Sequence, residues 1–267
     1  MTRMVSYLLL SLSIWPSLSA YAQNTQDELS KYRQLLADNN PAELWEIRGE
    51  ELWKKKAGPK QSNLSACDLG LGPGILAGAY VQLPRYFADV NKVMDLEQRL
   101  QYCRMQLQGL SREEASKQPF GAPGKPSEIE ALVAYITAQS RGMKIAVSMK
   151  HAQEKQAYKI GEQIFHYRAG SHDFSCASCH AIDGQRIRMQ NLPNILQTAQ
   201  AQAAYSSWPA YRVSQGEVRS MQHRLSDCFR QQRFPVPDYA SDSITALTMF
   251  LAHNANGGVF NAPALKR

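Results

Sequence analysis

The sequence predicts a mainly α-helical protein made of two tandem, related halves, and three observations carry that prediction. Apolar residues recur at helical spacing in segments that open on capping residues and stop at glycine-rich turns. The chain also resembles itself, because residues 49–58 (GEELWKKKAG) align without gaps on residues 161–170 (GEQIFHYRAG), an offset of 112. Downstream, Arg99-Leu100-Gln101-Tyr102-Cys103 matches Arg224-Leu225-Ser226-Asp227-Cys228, and residues 129–132 match 244–247, in the same order. Finally, a chain of 267 residues with 44% hydrophobic and 20% charged content has the composition of a globular protein, which excludes collagen-like and disordered classes.

The first 22 residues read as an export signal. Arg3 gives the positive start, residues 5–15 are almost wholly apolar, and Ala20-Tyr21-Ala22 forms a small-x-small cleavage site. The apolar run is too short to span a bilayer, and no later segment approaches that length, so no membrane insertion is expected. A periplasmic location follows, in which disulfides persist. The formal net charge of +7, or +6 without Arg3, is spread along the chain. It suits an anionic small substrate or an acidic protein partner, and is too diffuse to argue for nucleic acid.

Residues 176–180 read Cys-Ala-Ser-Cys-His, the C-x-x-C-H pattern of covalent haem attachment. Two thiols three residues apart on one turn can add to the two vinyl groups on one porphyrin edge, and the next residue then presents an imidazole to the iron. A zinc site needs two further ligands at similar spacing, and a redox C-x-x-C has no use for the histidine. One covalently bound haem c is therefore expected, with Cys176 and Cys179 as its anchors and His180 as an axial ligand. A helix over 158–167 is predicted to lead into this loop, and a second over 241–253 to close the half. In motif and order of elements this half resembles a cytochrome c, with Phe165 and Phe250 as the expected aromatic pair where the two helices cross.

Carrying the offset of 112 forward puts Cys67 on Cys179, Leu64 on Cys176 and Asp68 on His180. The first half thus has a cytochrome c outline but lacks one thioether cysteine and the axial histidine. The expected organisation is a haem-free domain over 23–145 and a haem-binding domain over 146–267. If Cys179 and Cys228 approach the haem from opposite faces, their counterparts Cys67 and Cys103 meet in a haem-free half, and in an exported protein they form a disulfide.

The sixth iron position has several candidates: Met189, Met221 and Met249, His172, His223 and His253, and Cys228. Methionine is the common partner in small electron carriers. Cys228 is the cysteine left over, lies between the haem loop and the last helix, and has a repeat mate in Cys103. Its neighbours are basic, with Arg219, His223, Arg224, Arg230 and Arg233 opposed by Glu217 and Asp227, and such cations favour a thiolate. Arg224, four residues before Cys228, shares its helical face and can fork onto anionic oxygens.

An export signal, two cytochrome c modules, C-A-S-C-H and H-R-L-S-D-C together resemble the SoxA family, the catalytic cytochromes of the SoxAX complex of bacterial sulfur oxidation. The likeness covers nearly the whole mature chain. Some members carry haem in both modules, and Leu64 and Asp68 make this chain resemble the single-haem form. The resemblance implies an L-cysteine S-thiosulfotransferase that oxidatively conjugates thiosulfate to a cysteine of a SoxY-type carrier protein. It further implies Cys228 as distal iron ligand and persulfide-bearing catalytic residue, Arg224 as the substrate-binding residue, and a heterodimer with a SoxX-type cytochrome that takes the electrons. Two other functions remain open on the residues alone: a plain electron-transfer cytochrome c, and a thiosulfate dehydrogenase forming tetrathionate, which usually carries two haems.

Overall fold

Each half is organised around a crossing of two helices that only a glycine permits. The computed structural model describes residues 39–266 apart from 123, 188 and 189, together with Asp27, Glu28, Lys31 and Leu35. The expected export signal at 1–22 and the ligand candidate Met189 lie outside the described residues. In chain order the first half contains α1 (Ala42–Lys54), a hairpin of β1 (Arg85–Phe87) and β2 (Lys92–Met94), α2 (Leu96–Gln108), the short α3 (Arg112–Ala115) and α4 (Glu128–Ala138). The second contains α5 (Ala152–His166), α6 (Cys176–His180), the two-residue strands β3 (Arg186–Ile187) and β4 (Gln190–Asn191), and α7 (Thr198–Tyr205). It continues with β5 (Ala210–Arg212), β6 (Glu217–Arg219), α8 (Met221–Gln231), α9 (Asp242–Asn254) and β7 (Ala264–Lys266).

The duplication is visible in three dimensions. Helix α1 packs on α4, and α5 packs on α9. A Cβ added at Gly49 would stand 2.0 Å from the Ala131 carbonyl oxygen, and one at Gly161 would stand 2.0 Å from that of Ala246. Phe165 and Phe250 meet at the second crossing with ring centroids 5.1 Å apart. Helix α5 starts six residues before the expected 158. His151 caps it by accepting from the Gln153 N–H, while Glu154 reaches back to the His151 N–H, a capping box that a histidine rarely opens.

Where the haem loop of the second half would have its counterpart, the first half is filled by its own side chains. Leu64 is buried, and the Asp68 carboxylate accepts from the N–H groups of Gly70 (2.6 Å) and Gly72 (2.9 Å), tying a tight turn. Cys67 and Cys103 are joined by a disulfide with Cα atoms 5.6 Å apart. Arg99 is buried, donates to the Asp68 carbonyl (2.7 Å), pairs with Asp89 (2.8 Å) and lies 4.1 Å over the Phe87 ring.

The halves are stitched along the 142–147 segment. The Gly142 N–H donates to Phe260 O, Ile145 N–H to Gly258 O and Ala146 N–H to Val81 O. Deeper, buried carboxylates of the first half grip the start of α8. Glu130 accepts from the Ser220 N–H and lies 2.7 Å from the His223 Nδ1. Glu97 accepts from the Ser220 hydroxyl (2.8 Å) and the Gln222 N–H, and Asp95 from the Gln222 side chain. These groups satisfy donors that a buried helix start would otherwise leave unpaired.

Burial, and then the neighbouring Asp95 charge, hold Glu97 well above its ordinary value of 4.5. A carboxyl raised in the folded state contributes stability that is full below the unfolded value and lost as pH climbs through the folded one. The stability of Glu97→Gln relative to the parent is therefore expected to rise as pH climbs above 4.5 and to level off at higher pH, whatever the difference at low pH. Urea unfolding at stepped pH measures it; a difference that stays flat with pH would contradict the assignment.

Candidate functional site

Helix α6 is a single turn opened by Ser175, whose hydroxyl accepts from the Ser178 N–H while the Ser178 hydroxyl accepts from the Ser175 N–H. This capping box places Cys176, Cys179 and His180 on the wall of a cavity of about 320 Å³. The same cavity is lined by α8, through Met221, Arg224, Leu225, Cys228 and Phe229, and by its C-cap Gln232. Those positions follow the i, i+3, i+4, i+7 pattern of one helical face. Phe165 of α5 and Leu247 and Leu251 of α9 close the apolar floor.

The His180 Nδ1 stands 2.9 Å from the Pro193 carbonyl oxygen. A carbonyl only accepts, so Nδ1 carries the proton and Nε2 keeps a lone pair. Burial, opposed by the Pro193 bond and aided by Arg224, lowers the His180 pKa and keeps the ring neutral, the form that binds iron. Burial and the neighbouring Cys228 push the Cys176 thiol up to about 12. Two thiols on one turn, a neutral imidazole and apolar walls fit haem c. Cys176, Cys179 and His180 are the residues that would hold it.

Among the other ligand candidates the structure separates those in the cavity from those outside it. Cys228 and Met221 line it. Met249 is fully buried, His223 is occupied by Glu130 and stacked on Phe120, His253 lies against Tyr158, and His172 against Phe174.

The comparisons with known proteins bear on this geometry directly. The family described as SoxA/TsdA, cytochrome c domain, matches twice, over residues 48–145 and 160–260. The chain belongs to this family. Similar relatives are the L-cysteine S-thiosulfotransferase subunits SoxA of Hydrogenophilus thermoluteolus and Hydrogenobacter thermophilus. The first is 49% identical over 239 residues, covering 90% of this chain and 87% of the relative. The second is 31% identical over 257 residues, covering 94% and 93%. The crystal structure of SoxXA from P. pantotrophus superposes with a TM-score of 0.71 at 25% identity, over 89% of this chain and 84% of that one.

As a SoxA/TsdA member the chain is a c-type cytochrome, and its basic residues around Cys228 divide sharply. The sequence suggests a general cationic field favouring the thiolate, and the structure corrects this. Arg219 is tied to Glu217 (3.1 Å) and to Asp227, Arg230 to Asp227 (2.9 Å), and Arg233 does not line the cavity. Only Arg224 acts on Cys228 as a cation, and burial outweighs it, raising the thiol above its ordinary value with Asp227 and Cys179 adding to the rise. Arg224 differs from its repeat mate Arg99 in having no carboxylate partner among the described residues; its guanidinium lies 5.9 Å from the centroid of Trp208. Two further cations line the cavity that the sequence does not reveal, Arg212 and Lys266. They are brought together by the parallel pairing of β5 and β7, strands of three residues each that leave no periodic signal.

Proposed function

We propose that the chain is the catalytic cytochrome of a periplasmic thiosulfate-oxidising complex, with one haem c held by Cys176, Cys179 and His180. The observation that carries this reading is the α8 face that sets Arg224 and Cys228 one turn apart in the cavity that the C-x-x-C-H turn also lines. The reaction is R–SH + S2O3²⁻ → R–S–S–SO3⁻ + H⁺ + 2 e⁻, with R a cysteine-bearing carrier protein of the SoxY type. The carrier's S–H bond breaks, an S–S bond forms to the sulfane sulfur, and the two electrons pass to a SoxX-type partner cytochrome in a heterodimer. The SoxXA title of the structural relative supports that partner.

In this scheme Arg224 binds the sulfonate oxygens and orients the sulfane sulfur, because a guanidinium offers paired donors to anionic oxygens. Cys228, carried as a persulfide, would present the reactive sulfur and would be the distal residue holding the haem iron. Haem c, when bound there, would supply one-electron redox chemistry, with His180 and the sulfur of Cys228 as the residues that would hold its iron. Leu64 and Asp68, at the positions of Cys176 and His180 in the repeat, support a single haem in the second half, and the two family matches, 48–145 and 160–260, support a domain division after residue 145.

A second reading, a simple electron carrier with Met221 on the iron, is favoured only by the presence of that thioether in the cavity. One experiment decides between them and the tetrathionate-forming alternative. The mature haem-loaded heterodimer is incubated with thiosulfate and a carrier bearing one accessible cysteine, and both proteins are weighed intact. The expected result is the mass of one haem on this chain and of one S2O3 group on the carrier. Tetrathionate formed with the carrier unmodified, or no thiosulfate consumption, would overturn the proposal.

A further inference from the structure

Among the described residues, the cavity is lined by three cations, Arg212, Arg224 and Lys266, and by no carboxylate. Arg212 and Lys266 stand opposite each other in the parallel β5–β7 register, one on each strand, while Arg224 comes from α8. None of the three has an ion-pair partner among the described residues. The nearby acids are already engaged, Asp227 by Arg219 and Arg230, and Glu217 by Arg219. Arg212 makes one long bond, from Nε to the Gln215 amide oxygen at 3.3 Å. All three side chains are partly withdrawn from solvent.

Grouped like charges repel, and the repulsion strengthens as water is excluded. It registers here as a lowered pKa at Lys266, caused by burial and then by Arg212 and Arg224. Arg212 is lowered likewise by burial, Arg224 and Arg219. A cluster built without internal neutralisation is arranged for an anion from outside. Two sources of anionic oxygen reach this cavity: a sulfur oxyanion substrate and the carboxylates of haem c itself. The register favours the substrate, since Arg224, which both other cations feel, lies one helical turn from Cys228 on the same face.

We propose that Arg212 and Lys266 form, with Arg224, a three-cation cradle beside Cys228 that binds the oxygens of the dianionic sulfur substrate. Thiosulfate as that dianion rests on the function proposed above. The side pair supplies charge at a distance from the reacting sulfur, so its contribution falls on binding. It also selects dianions over monoanions, because each added cation is worth more to a double charge.

The test uses the haem-loaded heterodimer carrying Arg212→Gln, Lys266→Gln or both, with Arg212→Lys and Lys266→Arg as charge-keeping controls. Thiosulfate Kd is read by titration calorimetry, KM and kcat by the carrier assay, and the haem midpoint potential by redox titration. Each neutral variant is expected to raise thiosulfate Kd and KM about tenfold with kcat within about twofold of the parent. The double variant should be weaker than either single one, the charge-keeping variants should retain most of the affinity, and the potential should stay where it was. A shifted potential with unchanged Kd would assign the cations to the haem carboxylates and overturn the proposal, as would a Kd indifferent to all the substitutions. Binding is measured in the Cys228→Ala background as well, where no turnover is needed. Loss of affinity on neutralising Arg212 or Lys266 there supports the cradle even if the carrier reaction itself is absent, so the two ideas fail separately.

Discussion

Replacing Cys228 with alanine is expected to abolish carrier conjugation, by about 10³-fold or more in kcat, while leaving the haem attached. The anchors Cys176 and Cys179 lie on α6, a separate element from α8, so a mass measurement should still show one haem. Loss of the sulfur should change the ferric absorption spectrum, because the proposed distal ligand is gone, and thiosulfate should still bind through Arg224. The contrasting variant is Met221→Leu, two turns earlier on the same face of α8. If the spectrum follows Met221 and ignores Cys228, the distal ligand is the thioether and the reactive-sulfur reading falls. Full conjugation activity in the alanine variant would remove Cys228 from the chemistry altogether. Burial makes the outcome informative: a thiol raised above its ordinary value and partly shielded is a poor nucleophile on its own, so it needs the persulfide or the iron to become reactive.

The second large effect concerns stability. The Cys67–Cys103 bond closes a loop of 36 residues between the turn that precedes Asp68 and α2 of the first half. Cross-linking a loop of that length restricts the unfolded chain by about 3–4 kcal/mol. The double variant Cys67→Ser, Cys103→Ser should lose that amount in urea unfolding, with the slope m changing as the unfolded chain loosens. Both sulfurs are buried, so the serine hydroxyls also enter an apolar site and push in the same direction. Conjugation per folded molecule should change little, because neither cysteine lines the cavity. A stability loss below about 1 kcal/mol would mean that the core of this half is held by packing alone.

How much of this was legible in the sequence depends on the range of each interaction. The C-x-x-C-H turn, the helix crossings and the i, i+4 relation of Arg224 to Cys228 are encoded within single turns or in a repeat, so spacing exposes them. The early start of α5 was hidden because a histidine caps it and its first turn is polar. Arg212 and Lys266 could not be found, since a parallel strand pair joins residues far apart in the chain through three-residue segments. The acidic partners of Arg219 and Arg230 sit close by in sequence, yet which cation each acid takes is decided by the fold: Asp227 holds two arginines and leaves Arg224 free. The balance at Cys228 between charge and desolvation is likewise a property of burial, which composition around the residue does not report.

Through the grip of Glu97 and Glu130 on the start of α8, one copy of the repeat holds in place the helix that carries Arg224 and Cys228 in the other. The first copy is the anvil against which that helix is held. A change at position 97 or 130 is expected to be felt at Arg224 and Cys228 through the helix start it braces.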